Sequence, residues 1–197
     1  MRKSERSVKE LIIKTAQEIF VRYGFKKTTM DEIAKAVCKA KSSIYYYFKS
    51  KEEIFYAILE KESKILKSEL TKAVKQQDTP QKKLYAYVIT RMRCLRNLIN
   101  FYNALKDEYL TRYSFIKKLK LKQYKEELKM IKEILKKGVE CGSLVLEDLE
   151  MTSQSILIAL NGLEFSWVMH KSDIPKTEKH IENLLNILFY GIGKNKI

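Results

Sequence analysis

The sequence predicts an all-α protein of about nine helices. Three observations carry that expectation. Its 197 residues include only 6 Gly and 2 Pro, too few turn-formers for many short elements. Apolar residues recur at three- and four-residue spacing along most of the chain, the period of a helix face. Ser or Thr followed three residues on by an acid stands ahead of two of these stretches, the signature of a capping box.

Taken in order, residues 7–23 read as a first helix with Leu11, Ile12, Thr15, Ala16, Ile19, Phe20 and Tyr23 on one stripe and Gly24 behind it as a C-cap. "TTMDEIAKAV" opens a short second helix, capped by Thr28 or Thr29 with Asp31 or Glu32 closing the box; Met30, Ile33, Ala34 and Val37 form its inner face. A third short helix spans about Lys41 to Phe48. Ser50, with Glu53 three residues on, starts a long fourth helix over Lys51–Lys75, whose buried side carries Ile54, Phe55, Ile58, Ile65 and Leu66. After the polar break around Pro80, helices are expected over Gln81–Asn103, in "ALKDEYL", and from Tyr113 to Glu140, where Gly142 stops the chain. "SLVLEDLE" reads as a loop, and Met151–Lys171 and Lys176–Ile192 as two strongly apolar helices. The lysine-rich run "KKLKLKQYKEELKMIKEILKK" is the solvated face of its helix.

The formal net charge is +15, and the chain has 32 Lys to 7 Arg. A lysine-rich composition accounts for part of that charge, so its placement matters more. From Met1 to Lys51 there are 13 Lys or Arg against 5 Asp or Glu, a net of +8 in about a quarter of the chain. A local excess of this kind points to an anionic partner. Three cysteines at wide spacing, Cys38, Cys94 and Cys141, with no CxxC, give neither a disulfide framework nor a zinc site; reduced thiols in a cytoplasmic protein are expected, with Cys38 buried or half-buried. No apolar run reaches the roughly 18 residues of a membrane span, and no apolar leader core opens the sequence.

"CKAKSSIYYYFKSKEEIF", Cys38 to Phe55, carries the most specific signal. At about 100° per residue, Ile44, Tyr47 and Phe48 share one face of the third helix, while Ser42, Tyr45, Tyr46 and Lys49 share the other. Two short helices joined by "CKAK" form a helix-turn-helix, in which the second helix enters the major groove with its N-terminal residues foremost. Those residues are Lys41, Ser42 and Ser43, small or cationic, so the backbone can approach the bases. Tyr45 and Tyr46 can donate to phosphate and cover a sugar or a thymine methyl. Lys27, Lys39, Lys49 and Lys51 supply charge for the DNA backbone.

"TTMDEIAKAVCKAKSSIYYYFKSKEEIFYAIL", preceded by a helix ending in "YGF", resembles the DNA-binding segment of the TetR (tetracycline repressor) family of bacterial transcription regulators, over residues 8–60. "LKKGVECGSLVLEDLEMTSQSILIALNGL" resembles the family's approach to its penultimate helix. The resemblance implies a helix-turn-helix DNA-binding domain (1–50) fused to a larger helical domain (51–197) that binds a ligand and dimerises. It implies that Thr28 or Thr29 contacts phosphate, that Lys41, Ser42, Ser43, Tyr45 and Tyr46 face the operator, and that Lys51 holds a phosphate. The family often has Gly where Cys38 stands, so the resemblance implies either a strained turn there or slightly different dihedrals.

Met151–Lys171 and Lys176–Ile192 are too apolar for two lone surface helices. With the resemblance, they are expected to pair with their symmetry mates in a four-helix bundle, giving a homodimer through residues 151–192. A small-molecule inducer, apolar or aromatic, is expected among the middle helices, with Met92, Phe101, Tyr102, Tyr109, Asn161, Glu164 and Trp167 as wall candidates beside Tyr87, Phe115 and His170. With two histidines and no HExxH, GxSxG or phosphate-cradling glycine loop, no catalytic set, metal site or cofactor is expected. The reading is therefore a DNA-binding regulator, a repressor released from a palindromic operator by its inducer. The alternative is a basic helical membrane-surface or scaffold protein, which leaves the outward tyrosines and serines without a role.

Overall fold

The computed structural model describes residues 2–98, 100, 103, 110–170 and 174–191, without the side chains of 2–6, 95, 96, 111, 163–170 and 174–177. Among the described residues every regular element is helical. They are α1 (Arg2–Tyr23), α2 (Met30–Ala36), α3 (Lys41–Tyr47), α4 (Lys51–Lys75), α5 (Pro80–Asn97), a 3₁₀ turn at Leu110–Arg112, α6 (Ser114–Glu140), α7 (Leu149–His170) and α8 (Ile174–Tyr190). The all-α expectation holds. α5 ends at Asn97, short of the expected Asn103. Of "ALKDEYL", only Leu110 is described.

The chain forms two compact units, one of Met1–Leu66 with Leu95–Lys120, the other of Lys67–Cys94 with Leu121–Ile197. In the first, Ile12, Ala16 and Phe20 of α1 are buried with Ile33 of α2, Ile44 of α3 and Ile54, Phe55 and Ile58 of α4. An aromatic cluster joins these helices: the ring of Phe25 lies 4.6 Å from that of Phe55, and Phe20 stands edge-on to Phe55 at 5.2 Å. Leu11 and Tyr23, expected on the inner stripe of α1, are exposed at its margins.

Ile65, expected on the buried side of α4, is also exposed; the carboxylate of Glu62 is buried instead. Its Oε1 accepts from Gln17 Nε2 at 2.6 Å and from Asn100 Nδ2 at 3.2 Å. Hydrogen bonding to the charged form is what makes a buried carboxylate tolerable.

In the second unit the core includes Leu84, Tyr87 and Val88 of α5, Ile131, Ile134 and Leu135 of α6, Leu157 and Leu160 of α7, and Ile181 and Leu185 of α8. α6 ends as expected at Gly142, whose φ of +70° closes the C-terminal turn.

Candidate nucleic-acid interface

The start of α2 is set by Thr29, not Thr28. Thr29 Oγ1 accepts from Glu32 N, and the Thr29 N–H donates to Glu32 Oε2 at 2.7 Å, a complete capping box. Thr28 is 1% exposed, and its hydroxyl donates to Gly24 O at 2.9 Å. Of the two threonines, only Thr29 presents its side chain to solvent.

The turn to α3 has the geometry that favours glycine. Cys38 sits at φ +55°, its N–H donating to Lys35 O at 3.0 Å while Lys39 N–H donates to Ala34 O at 3.1 Å. These are the two bonds of a Schellman motif, with Cys38 at its left-handed position. Of the two alternatives, the strained turn is the one present, and the motif's two hydrogen bonds oppose that strain. The Cys38 thiol is exposed, contrary to the expected burial, because the left-handed conformation turns the residue out of the line of Ile33, Ala34 and Val37.

α3 divides largely as its helical wheel requires. Ile44 is fully buried and Phe48 nearly so, whereas Tyr45 is 44% and Tyr46 73% exposed. Tyr47 is half-buried rather than core, its ring edge-on to that of Tyr46 at 5.0 Å. Lys41 and Ser42 are exposed and Ser43 half-buried. Lys41 Nζ donates to Asp31 Oδ2 at 2.9 Å, bridging α3 to α2. That hydrogen bond, with the charge of Asp31, raises the Lys41 pKa, so the ammonium is held charged.

Lys27, Lys39 and Lys49 are exposed. α4 is entered through Ser50, whose Oγ accepts from Glu53 N, while Glu53 Oε2 takes the Lys49 N–H at 2.7 Å. Lys51 behaves differently from the other lysines. Its Nζ donates to Phe25 O at 2.8 Å and Thr28 O at 2.9 Å and lies 4.4 Å from the centroid of the Phe25 ring. Two of its three donors hold the chain entering α2, which leaves one for a further acceptor. The clamp escaped the sequence reading because no motif marks a lysine that bonds main-chain carbonyls so far back along the chain.

An outward-facing second helix of small, cationic and tyrosine side chains, ringed by lysines, is suited to the phosphates and groove of a duplex. The model for bacterial regulatory proteins of the TetR family matches residues 12–58, and that for the QacR-like C-terminal region matches residues 61–194. The chain belongs to the TetR family. It is a DNA-binding transcriptional regulator with a QacR-like C-terminal region. The transcriptional regulator QacR of Staphylococcus aureus is 27% identical over 194 residues, covering 95% of this chain and all of that protein. The biofilm-operon negative regulator IcaR of Staphylococcus epidermidis is 42% identical over 48 residues, 24% of this chain and 26% of IcaR. The crystal structure of a transcriptional regulator from Cytophaga hutchinsonii superposes with a TM-score of 0.74 at 25% identity, covering 91% of this chain and 95% of that one.

The second unit, which contains most of the QacR-like region, holds a buried polar network. Glu127 Oε2 accepts from Arg91 Nε at 2.5 Å and from Tyr87 OH at 2.8 Å; its Oε1 accepts from Gln123 Nε2 at 2.6 Å. Arg91 Nη2 also donates to Asn161 Oδ1 at 3.0 Å. Asn161, expected as a ligand-wall residue, thus lies against this network, and Met92 is buried. Neither lines either of two clefts found among the described residues of this unit. One, of about 600 Å³, lies between α5 and α8 and is walled by Tyr85, Ile89, Arg93, Glu182 and Phe189. The other, of about 510 Å³, lies between α4, α5 and α6. Phe101, Tyr102 and Tyr109, and the side chains of Glu164 and Trp167, lie outside the described residues. α7 and α8 leave Met151, Ile158, Leu184, Ile187, Leu188 and Tyr190 exposed. No described helix is long and apolar enough to cross a membrane.

Proposed function

We propose that this TetR-family regulator represses transcription in the cytoplasm by binding a palindromic operator as a homodimer, and that a small-molecule inducer releases it. The observation that carries the reading is the exposure of Tyr45, Tyr46, Lys41 and Ser42 on a helix anchored from behind by Ile44 and Phe48. Residues 1–50 would provide the DNA-binding function and 51–197 ligand binding and dimerisation. Lys27, Thr29, Lys39 and Lys49 would meet phosphates, with Lys51 adding its remaining donor.

Dimerisation through residues 151–192 is supported by the apolar residues that α7 and α8 leave uncovered, such as Ile158, Ile187 and Leu188. A dimer of this kind would present two α3 helices to half-sites about 34–36 Å apart or somewhat more. Two clefts among the described residues of the second unit have volumes in the range that holds a small molecule, and the aromatic walls of the larger of these favour an apolar or aromatic inducer.

Selection of bound sites from random duplex DNA tests the reading. Enrichment of an inverted repeat is expected; failure to enrich any sequence sinks the operator, and a single asymmetric site sinks the symmetric dimer.

A further inference from the structure

The smaller cleft of the second unit collects lysines from three helices. Lys67 and Lys75 come from α4, Lys83 from α5, and Lys129 and Lys137 from α6. Val74, Met130 and Ile134 supply an apolar surface in the same cleft. Two of the five charges are offset: Lys67 pairs with Glu126 at 3.0 Å and Lys129 with Glu133 at 3.9 Å. Lys75, Lys83 and Lys137 have no acidic partner among the described residues.

A solvated lysine-rich helix face explains charges that point away from one another. It does not explain why five lysines from three helices line one cleft with only Glu126 and Glu133 as acids beside them, because like charges lining one cleft raise the energy of the folded state. Lys75 and Lys137 lie in the last turns of α4 and α6, where the helix dipole favours a cation. Lys83 has no such support. It stands at the start of α5, where the dipole disfavours a cation and where the first turn holds no acid, and it is half-buried. An anion in the cleft would satisfy it.

We propose that this cleft binds a small phosphorylated molecule with an apolar body, the phosphate among Lys75, Lys83 and Lys137 and the apolar part against Val74, Met130 and Ile134. The cation set decides the anion class. No arginine lines the cleft, and lysine is a compact point charge suited to a multiply charged phosphate, whereas the planar fork that matches a carboxylate belongs to arginine. The volume of about 510 Å³ accommodates a small organic ligand and is too small for a folded partner. That the ligand acts as an effector rests on the proposed release by an inducer; its binding does not.

The test is calorimetric titration of the full chain, without DNA, with octyl phosphate, inorganic pyrophosphate and octanoate. One octyl phosphate per chain is expected, bound more tightly than either other probe. Lys83→Gln with Lys137→Gln should weaken it about tenfold or more at an unchanged melting temperature, as should Lys83→Glu with Lys137→Glu. Lys122→Glu with Lys125→Glu, an equal charge change at exposed positions of α6 outside the cleft, should leave it unaltered. Met130→Gln should weaken octyl phosphate and not pyrophosphate. No octyl phosphate binding, binding that survives both Lys83/Lys137 variants, or equal binding of octanoate would overturn the proposal. Because the titration contains no DNA, none of these outcomes bears on operator recognition.

Discussion

Tyr46 and Tyr87 are the same residue type in opposite circumstances. Tyr46 is 73% exposed on α3, with the edge-on Tyr47 ring against it. Tyr87 is fully buried on α5, its hydroxyl bonded to Glu127 beside the guanidinium of Arg91. A buried hydroxyl must find its partner inside the fold, so Tyr87 belongs to the architecture. An exposed ring leaves apolar area in water, which the fold gains nothing by keeping, so Tyr46 is available to a second molecule. The two sites should therefore respond in opposite assays.

The comparison breaks most sharply at Glu127. Glu127→Ala leaves Arg91 buried without its carboxylate and should cost about 3–5 kcal/mol of stability, read from urea unfolding. A cost below about 1 kcal/mol would mean that the network is solvated, and that Tyr87 is no more architectural than Tyr46. Tyr46→Ala is the converse: operator affinity should fall about tenfold or more while the unfolding midpoint moves little, since a contact to DNA is lost and, within the fold, the edge-on contact with the Tyr47 ring. Retained affinity would remove Tyr46 from the interface. Tyr47→Ala sharpens the boundary between the two classes. Its half-burial places the expected loss at about 1–2 kcal/mol, below the 3–5 kcal/mol of a core aromatic.

Smaller effects test the turn and the thiols. Cys38→Gly relieves a side chain at φ +55° and should stabilise the protein by up to about 1 kcal/mol, the left-handed penalty less the added chain entropy of glycine. The thiols should separate kinetically. Hydrogen bonding from Ser143, with a contribution from Lys83, lowers the pKa of exposed Cys141, whereas burial raises that of Cys94. Near neutral pH, iodoacetamide should therefore label Cys141 before Cys94, by peptide mass mapping, because the thiolate is the nucleophile.

Much of the fold and of the α3 surface was legible in the sequence. A capping box at Thr28 or Thr29, the entry to α4 at Ser50, the stop at Gly142 and the division of Tyr46 from Ile44 all follow from spacings within one or two turns; the choice of Thr29 over Thr28 does not. The family's preference for glycine marks the position of Cys38 as unusual, but only the structure decides between strain and altered dihedrals, and only it exposes the thiol. Periodicity failed at margins and at charges. Leu11, Tyr23 and Ile65 have helical spacing but fall at the edges of their faces, and an edge residue's burial depends on what packs beside the helix.

By itself, the sequence determined the helices, their caps, the outward face of α3 and the family, because each rests on residues close together in the chain. Tertiary structure alone decided which charges are spent and which are free. Lys51 is clamped to carbonyls 26 and 23 residues away, Tyr87 meets Glu127 across 40 residues, and Lys83 lines one cleft with lysines of two other helices. A charge is neutralised by whatever the fold brings within a few ångströms of it, and no local pattern encodes that neighbour.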